Sequence, residues 1–260
     1  MESNAQNAKP ADFNQHHPLE DHYPMTKNKL GKVYVFNQMS SYMGGGQPRV
    51  GHIKDCKDIE EVFQNLKFDV VKYEDLTYKE ILEKLSNIAK MDYSEYGCLI
   101  FFVLTHGKGS KIFAQDIVYY PEVYWNTLNE SSTLVHKPKL IFLQCPHDED
   151  VYYGTTKRTR SVPTTYSIPE VPDVLFMYSC FDMFISWRSH VTGSSFIQCI
   201  CKEFKQHAES TDLLSILTFI NRSMELDFTK SLSPDVVGRK KMCTIVSTLN
   251  KVLYFGSKNK

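Results

Sequence analysis

No apolar run in this chain approaches the roughly 20 residues that a membrane-spanning helix requires. Nor is there an excess of either charge. Thirty Lys and Arg balance thirty Asp and Glu, which argues against nucleic acid or an anionic membrane as the main partner. A Cys-x-x-Cys pair is absent. The seven cysteines are an odd number, scattered mostly inside apolar runs, so reduced, buried thiols in a cytoplasmic protein are expected rather than a disulfide framework. The run Gly44-Gly45-Gly46 is not followed by Gly-Lys-Ser/Thr, so it reads as a connection and not a phosphate loop. Met1 to Pro24 is polar and has no apolar core, unlike a secretory signal. No metal and no cofactor are expected.

What remains is a chain of 260 residues, 42% of them apolar, enough to bury a substantial core. Residues 1–25 read as a disordered leader. Gly31 to Asn37 is a first strand. Asp55 opens a helix whose Cys56, Ile59, Val62, Phe63 and Leu66 share one face. Phe68 to Tyr73 is a second strand. Thr77-x-x-Glu80 forms a capping box for a helix with Ile81, Leu82, Leu85 and Ile88 as its stripe. Cys98 to Leu104 is a wholly apolar strand, Val118 to Leu128 a short helix, and Leu140 to Gln144 the next strand. Residues 148–172, rich in Thr, Tyr, Pro and basic side chains, read as a linker. Beyond it follow a strand from Val174 to Tyr178 and helices over Phe196 to His207 and Leu213 to Leu226. Thr211 is expected to cap the second of these helices. β segments at Thr244 to Leu249 and Val252 to Phe255 close the chain.

Strands that alternate with helices, several of them continuously apolar, imply an α/β fold with a mostly parallel sheet covered on both faces. In such folds chemistry gathers where strands end. The strand ends here carry His106-Gly107, then Gln144-Cys145-Pro146, then the stretch from Cys180 to Arg188.

In order and spacing these motifs resemble the caspase family, and its insect members most. The likeness runs from about Leu30 to Phe255. Arg49-x-Gly51 with Asp55 resembles the family's Arg-Ser-Gly-Thr-Asp stretch. Thr105-His106-Gly107 resembles Ser-His-Gly, and Ser186-Trp187-Arg188 resembles Ser-Trp-Arg. Gly193-Ser194-Ser195-Phe196-Ile197-Gln198 resembles Gly-Ser-Trp-Phe-Ile-Gln. The resemblance implies the caspase fold: a six-stranded, mostly parallel central sheet with helices on both faces. It divides the chain into a leader (1–25), a large-subunit-like part (26–147), an intersubunit linker (148–172) and a small-subunit-like part (173–260). It also implies that Arg49, Gln144 and Arg188, with Ser186 and Trp187, form a pocket for a substrate aspartate. A guanidinium matches a carboxylate with two parallel hydrogen bonds, which suits that role. His106 takes the place of the general base, and Gly107 that of the oxyanion-hole amide.

The departure lies at the nucleophile. The family pattern Gln-Ala-Cys-(Arg/Gln/Gly)-Gly is met here by Gln144-Cys145-Pro146-His147-Asp148. Proline stands at the nucleophile position and carries no thiol. Cys145 is one residue early, and in an extended segment that shift turns its side chain to the opposite face, toward the core. Ile185 replaces an aromatic of the groove, Ser195 a tryptophan, and Asp148 adds a carboxylate nearby.

The expected protein is therefore an inactive caspase homologue with vestigial His106 and Gly107. It regulates an active caspase paralogue by pairing through the strand at 244–249, and a homodimer is the other pairing. The rival is a working cysteine endopeptidase that cleaves after aspartate with Cys145 and His106. A weaker third reading is an inert holder of aspartyl peptides. His147-Asp148-Glu149-Asp150 and Pro18-Leu19-Glu20-Asp21 offer cutting sites to an executioner caspase, and the chain alone is expected to stay in one piece.

Overall fold

The structure is a computed structural model. It describes residues 21–25, 29–39, 51–108, 110–145, 171–179, 188–189, 193–230 and 243–256. In chain order the elements are β1 (Gly31–Asn37), α1 (His52–Asn65), β2 (Phe68–Glu74), α2 (Tyr78–Ala89) and β3 (Cys98–Leu104). Three short strands follow, β4 (Gly107–Lys108), β5 (Lys111–Phe113) and β6 (Val118–Tyr119), and then α3 (Val123–Asn126) and β7 (Lys139–Gln144). The remainder comprises β8 (Val174–Tyr178), β9 (Arg188–Ser189), β10 (Gly193–Ser194), α4 (Ser195–His207), α5 (Leu213–Lys230) and β11 (Thr244–Ser247).

Six strands form the central sheet in the order β11-β8-β7-β3-β1-β2. All pairs are parallel except β11 with β8. The inner strands β3, β7 and β8 are buried on both faces, which explains their near-continuous apolar runs, whereas β2 at the sheet's edge is only partly buried and carries Asp69, Lys72 and Glu74. Successive residues of one strand serve opposite cores. Ile100, Phe102, Leu140, Phe142 and Leu175 pack with α1, α4 and α5. Leu99, Phe101, Val103, Ile141 and Leu143 pack with α2, α3 and the β4–β6 hairpins. The six described cysteines, Cys56, Cys98, Cys145, Cys199, Cys201 and Cys243, are free and buried.

Local chemistry sets the boundaries. The capping box at α2 is formed: Glu80 N–H donates to Thr77 Oγ1, and Thr77 N–H donates to Glu80 Oε2 at 2.8 Å. Helix α1 begins at His52, three residues earlier than expected. Gly51 takes the left-handed conformation (φ 78°) and turns the chain into the helix. The helix expected over 118–128 is divided. Val118–Tyr119 pairs with β5, and Pro121, which cannot continue a helical ladder from upstream, accepts from Tyr124 N–H and opens the turn into α3. Asp212, not Thr211, caps α5, accepting from Ser215 N–H at 3.0 Å and Ser215 Oγ at 2.6 Å. Thr211 is still held in the turn that ends α4, its N–H donating to His207 O. The expected strand at 252–255 is reduced to isolated bridges, Val252 with His22 and Tyr254 with Asp212, because Leu253 and Phe255 are taken up by the core.

The expected leader ends differently as well. Residues 1–20 lie outside the described residues, but Asp21–Met25 is docked on the fold. Tyr23 is 2% exposed. Its hydroxyl donates to Asp173 Oδ1 at 2.6 Å and takes a hydrogen bond from Asn250 N–H at 3.1 Å. Burial first, and then the Asp173 carboxylate, push the phenol well above its ordinary pKa, so it stays a donor. Tyr23→Phe removes that donor from a buried carboxylate, and urea unfolding is expected to show a loss of about 1–3 kcal/mol.

Candidate active site

The C-terminal ends of β3 and β7 lie side by side, Leu104 opposite Gln144, and Thr105 N–H donates to Gln144 O at 3.0 Å. Beyond β3 the backbone of His106 is fixed by β5. Phe113 N–H donates to His106 O at 3.0 Å, and Thr105 Oγ1 donates to Phe113 O at 2.7 Å. Gly107 then enters the β4–β5 ladder opposite Ile112. His106 is 6% exposed and Gln144 fully buried. β8 continues the row of strand ends, with Ser179 N–H donating to Leu143 O at 3.0 Å.

Cys145 follows the strand alternation. Ile141, Leu143 and Cys145 belong to one core, together with Ile112, Ala114, Tyr119 and Tyr124. The thiol lies against Gly107, where an added Cβ would overlap the Cys145 sulfur and stand 2.7 Å from Lys111 O. Tyr119 shares this pocket of core. Its hydroxyl is 3.0 Å from that of Tyr124, and burial raises its pKa well above the ordinary value. The structure thus brings His106, Gly107, Gln144 and Cys145 to one edge of the sheet, with the Cys145 sulfur turned inward, 6% exposed as a residue.

A second cluster stands at the N-terminus of α1. Asp55, completely buried, accepts from Ser194 N–H at 2.8 Å and from Ser194 Oγ at 3.0 Å. Ser194 in turn is the ladder partner of Arg188 in the β9–β10 pair. Of the expected pocket residues, Arg188 is therefore placed by its backbone, while Arg49, Ser186 and Trp187 lie outside the described residues. So do Pro146, Asp148, Ile185 and residues 148–170 of the linker. Sequence reasoning did not single out the Asp55–Ser194 contact. One signal was available: Asp55 stands four residues before Ile59 and seven before Val62, on the apolar face of its helix.

A family model describing the caspase domain, peptidase C14, matches residues 31–254. The chain belongs to the caspase family. It is 30% identical to caspase drICE of Drosophila melanogaster over 91% of this chain and 73% of that protein. It is 32% identical to caspase-1 of Spodoptera frugiperda over 91% of this chain and 82% of that one. The crystal structure of caspase-1 from Spodoptera frugiperda superimposes with a TM-score of 0.78 at 30% identity, covering 97% of this chain and 98% of that one. The mostly parallel six-stranded sheet with helices on both faces is the caspase fold that the motifs implied. Among the described residues no helix is long and apolar enough to cross a membrane.

Proposed function

We propose that this chain is a catalytically inactive member of the caspase family that regulates an active caspase, in the control of apoptosis, by pairing with it in the cytoplasm. One observation carries the reading. Where the family pattern has its nucleophile, the chain runs Gln144-Cys145-Pro146, and its nearest thiol is directed into the core beneath Gly107. A catalytic thiolate must stand within about 3 Å of its base and face the substrate, whereas a structural cysteine buried in an apolar setting is inert. In this reading His106 and Gly107 are vestigial, and Gln144 and Arg188, with Arg49, Ser186 and Trp187, remain as a carboxylate-binding pocket. The rival, an endopeptidase that uses Cys145 with His106, is favoured by one observation, the contact of the Cys145 sulfur with Gly107, the residue next to that histidine.

Pairing is assigned to β11, which ends the sheet. An open strand edge offers unpaired backbone donors and acceptors. The side chains at this edge are already committed, with Ile245 packed on one core and Val246 on the other, so charges placed there would damage the fold along with the interface. The backbone is the better target. Thr248 N–H donates inward to Val174 O, and the alternation of an antiparallel ladder then turns the N–H of Ile245 and Ser247 outward. Titrated into active caspases, the protein is expected to change the rate of one of them in proportion to the complex formed. Ser247→Pro deletes an outward donor at an edge that tolerates proline and is expected to abolish the effect with the fold retained by circular dichroism. A folded variant with the full effect would move the interface elsewhere, and no response from any caspase would end the regulatory reading.

A further inference from the structure

We propose that Asp55 is the positioning residue for Arg188: its carboxylate fixes the β9–β10 pair against the N-terminus of α1 and so sets the pocket arginine in place. The proposal rests on the reading of Arg188 as a carboxylate-binding residue.

The β9–β10 pair is a sheet of two strands with two residue pairs, Ser194 with Arg188 and Gly193 with Ser189. So short a ladder does not hold its own position. Something else must place it, and Asp55 is joined to it by both carboxylate oxygens, to the backbone and to the hydroxyl of Ser194. These are charge-assisted bonds, about twice as strong as neutral ones, and Asp55 is inaccessible to competing water. The approach is close enough to dictate the neighbouring residue. Gly193 has φ 77°, and a Cβ there would overlap Asp55 Oδ1. A second polar tie one turn along the helix, Gln198 Nε2 to Asp58 Oδ2 at 2.7 Å, secures α4 to α1; its amide also stands beside Gly193, but of the two carboxylates it is Asp55 that bonds the residue paired with Arg188. A buried carboxylate is a costly way to join two elements where apolar contact would serve. What it supplies here is direction: two acceptors that admit one arrangement of Ser194, and through the ladder one placement of the Arg188 backbone.

The test compares two fluorescein-labelled tetrapeptides that differ only in ending with aspartate or asparagine, and their binding to wild type, Asp55→Asn and Ser194→Ala is measured by anisotropy. Amide hydrogen exchange is followed in the same samples. Wild type is expected to prefer the aspartyl peptide. Asp55→Asn keeps the shape but replaces one acceptor with a donor and removes the charge. It is expected to lower that preference about tenfold and to speed exchange at residues 188–194 while β3 and β7 stay protected. Ser194→Ala, which retains the backbone bond, is expected to fall between the two. A role in stability alone would leave the ratio between the peptides unchanged. A wild-type preference left unchanged in both variants would overturn the proposal, whether or not exchange is faster. If wild type shows no preference, the pocket reading itself fails and takes this inference with it, an outcome distinct from a wild-type preference that the variants preserve.

Discussion

Incubated with a panel of fluorogenic aspartyl peptides, the purified protein is expected to release no fluorophore above background, and Cys145→Ala is expected to change nothing. Loss of the nucleophile from a catalytic set of this kind typically costs about 10⁶ in kcat, so the difference from a working member is large enough for a simple assay. Residues 141, 143 and 145 share a core on one face of the sheet, and to present its sulfur at the surface Cys145 would have to shift the strand end by one residue. Such a shift would also expose Leu143 and bury Gln144 differently, against a ladder fixed by Thr105 and Ser179. Turnover that disappears in Cys145→Ala would refute the inactive reading. The repair variant, Pro146→Cys with Cys145→Ala, asks a separate question. Full labelling by an aspartyl electrophile would show that only the nucleophile was missing. We expect incomplete labelling with the fold intact, because Asp148, Ile185 and Ser195 also depart from the family pattern in the groove.

A second large effect is expected at Gly107. Gly107→Ala places a methyl group on the Cys145 sulfur and within 2.7 Å of Lys111 O. The backbone oxygen is tied into a ladder and cannot easily retreat. Overpacking of this sort costs about 1–3 kcal/mol, and urea unfolding is expected to show a loss at the upper end of that range. Cys145→Ala alone is expected to lose about 1 kcal/mol through the vacated volume. Combined, the two should be less harmful than their sum, because the second removes the atom that the first collides with. A coupling of about 1 kcal/mol or more in the double-mutant cycle is expected. Strict additivity would mean that the sulfur is not under Gly107, and the case for a thiol turned away from the site would lose its footing.

Much of the fold was legible in the sequence because the signals were strong and local. β3 and β8 are uninterrupted apolar runs of strand length and β7 carries one from Leu140 to Leu143, and Thr77 with Glu80 names the start of α2 within four residues. The face taken by Cys145 followed from strand alternation alone. Errors arose where a long-range partner decided the outcome. Val118–Tyr119 is a strand because β5 lies beside it. Residues 252–255 failed to become one because their neighbours are His22 and Asp212, neither in a strand of the central sheet. Asp21–Met25, polar in composition, is ordered by one tyrosine that finds Asp173, 150 positions away. The Asp55–Ser194 contact, separated by 139 positions, had no local signature beyond an aspartate on an apolar helix face.

The place of β8 in the sheet has a consequence for a severed chain. It lies between β7, which precedes the 148–172 segment, and β11, which follows it, and its entry is tied to both neighbours by backbone bonds: Lys139 N–H to Asp173 O, Asp173 N–H to Thr248 O, and Thr248 N–H to Val174 O. A protease that cut after Asp150 would leave two polypeptides joined by the full length of the β7–β8 ladder and by both cores. They would co-elute on a sizing column as one particle. Covalent continuity would be gone, and unfolding would become a dissociation, with a midpoint that rises with protein concentration. Intact and nicked protein would then differ little in spectrum, but dilution would weaken only the nicked form.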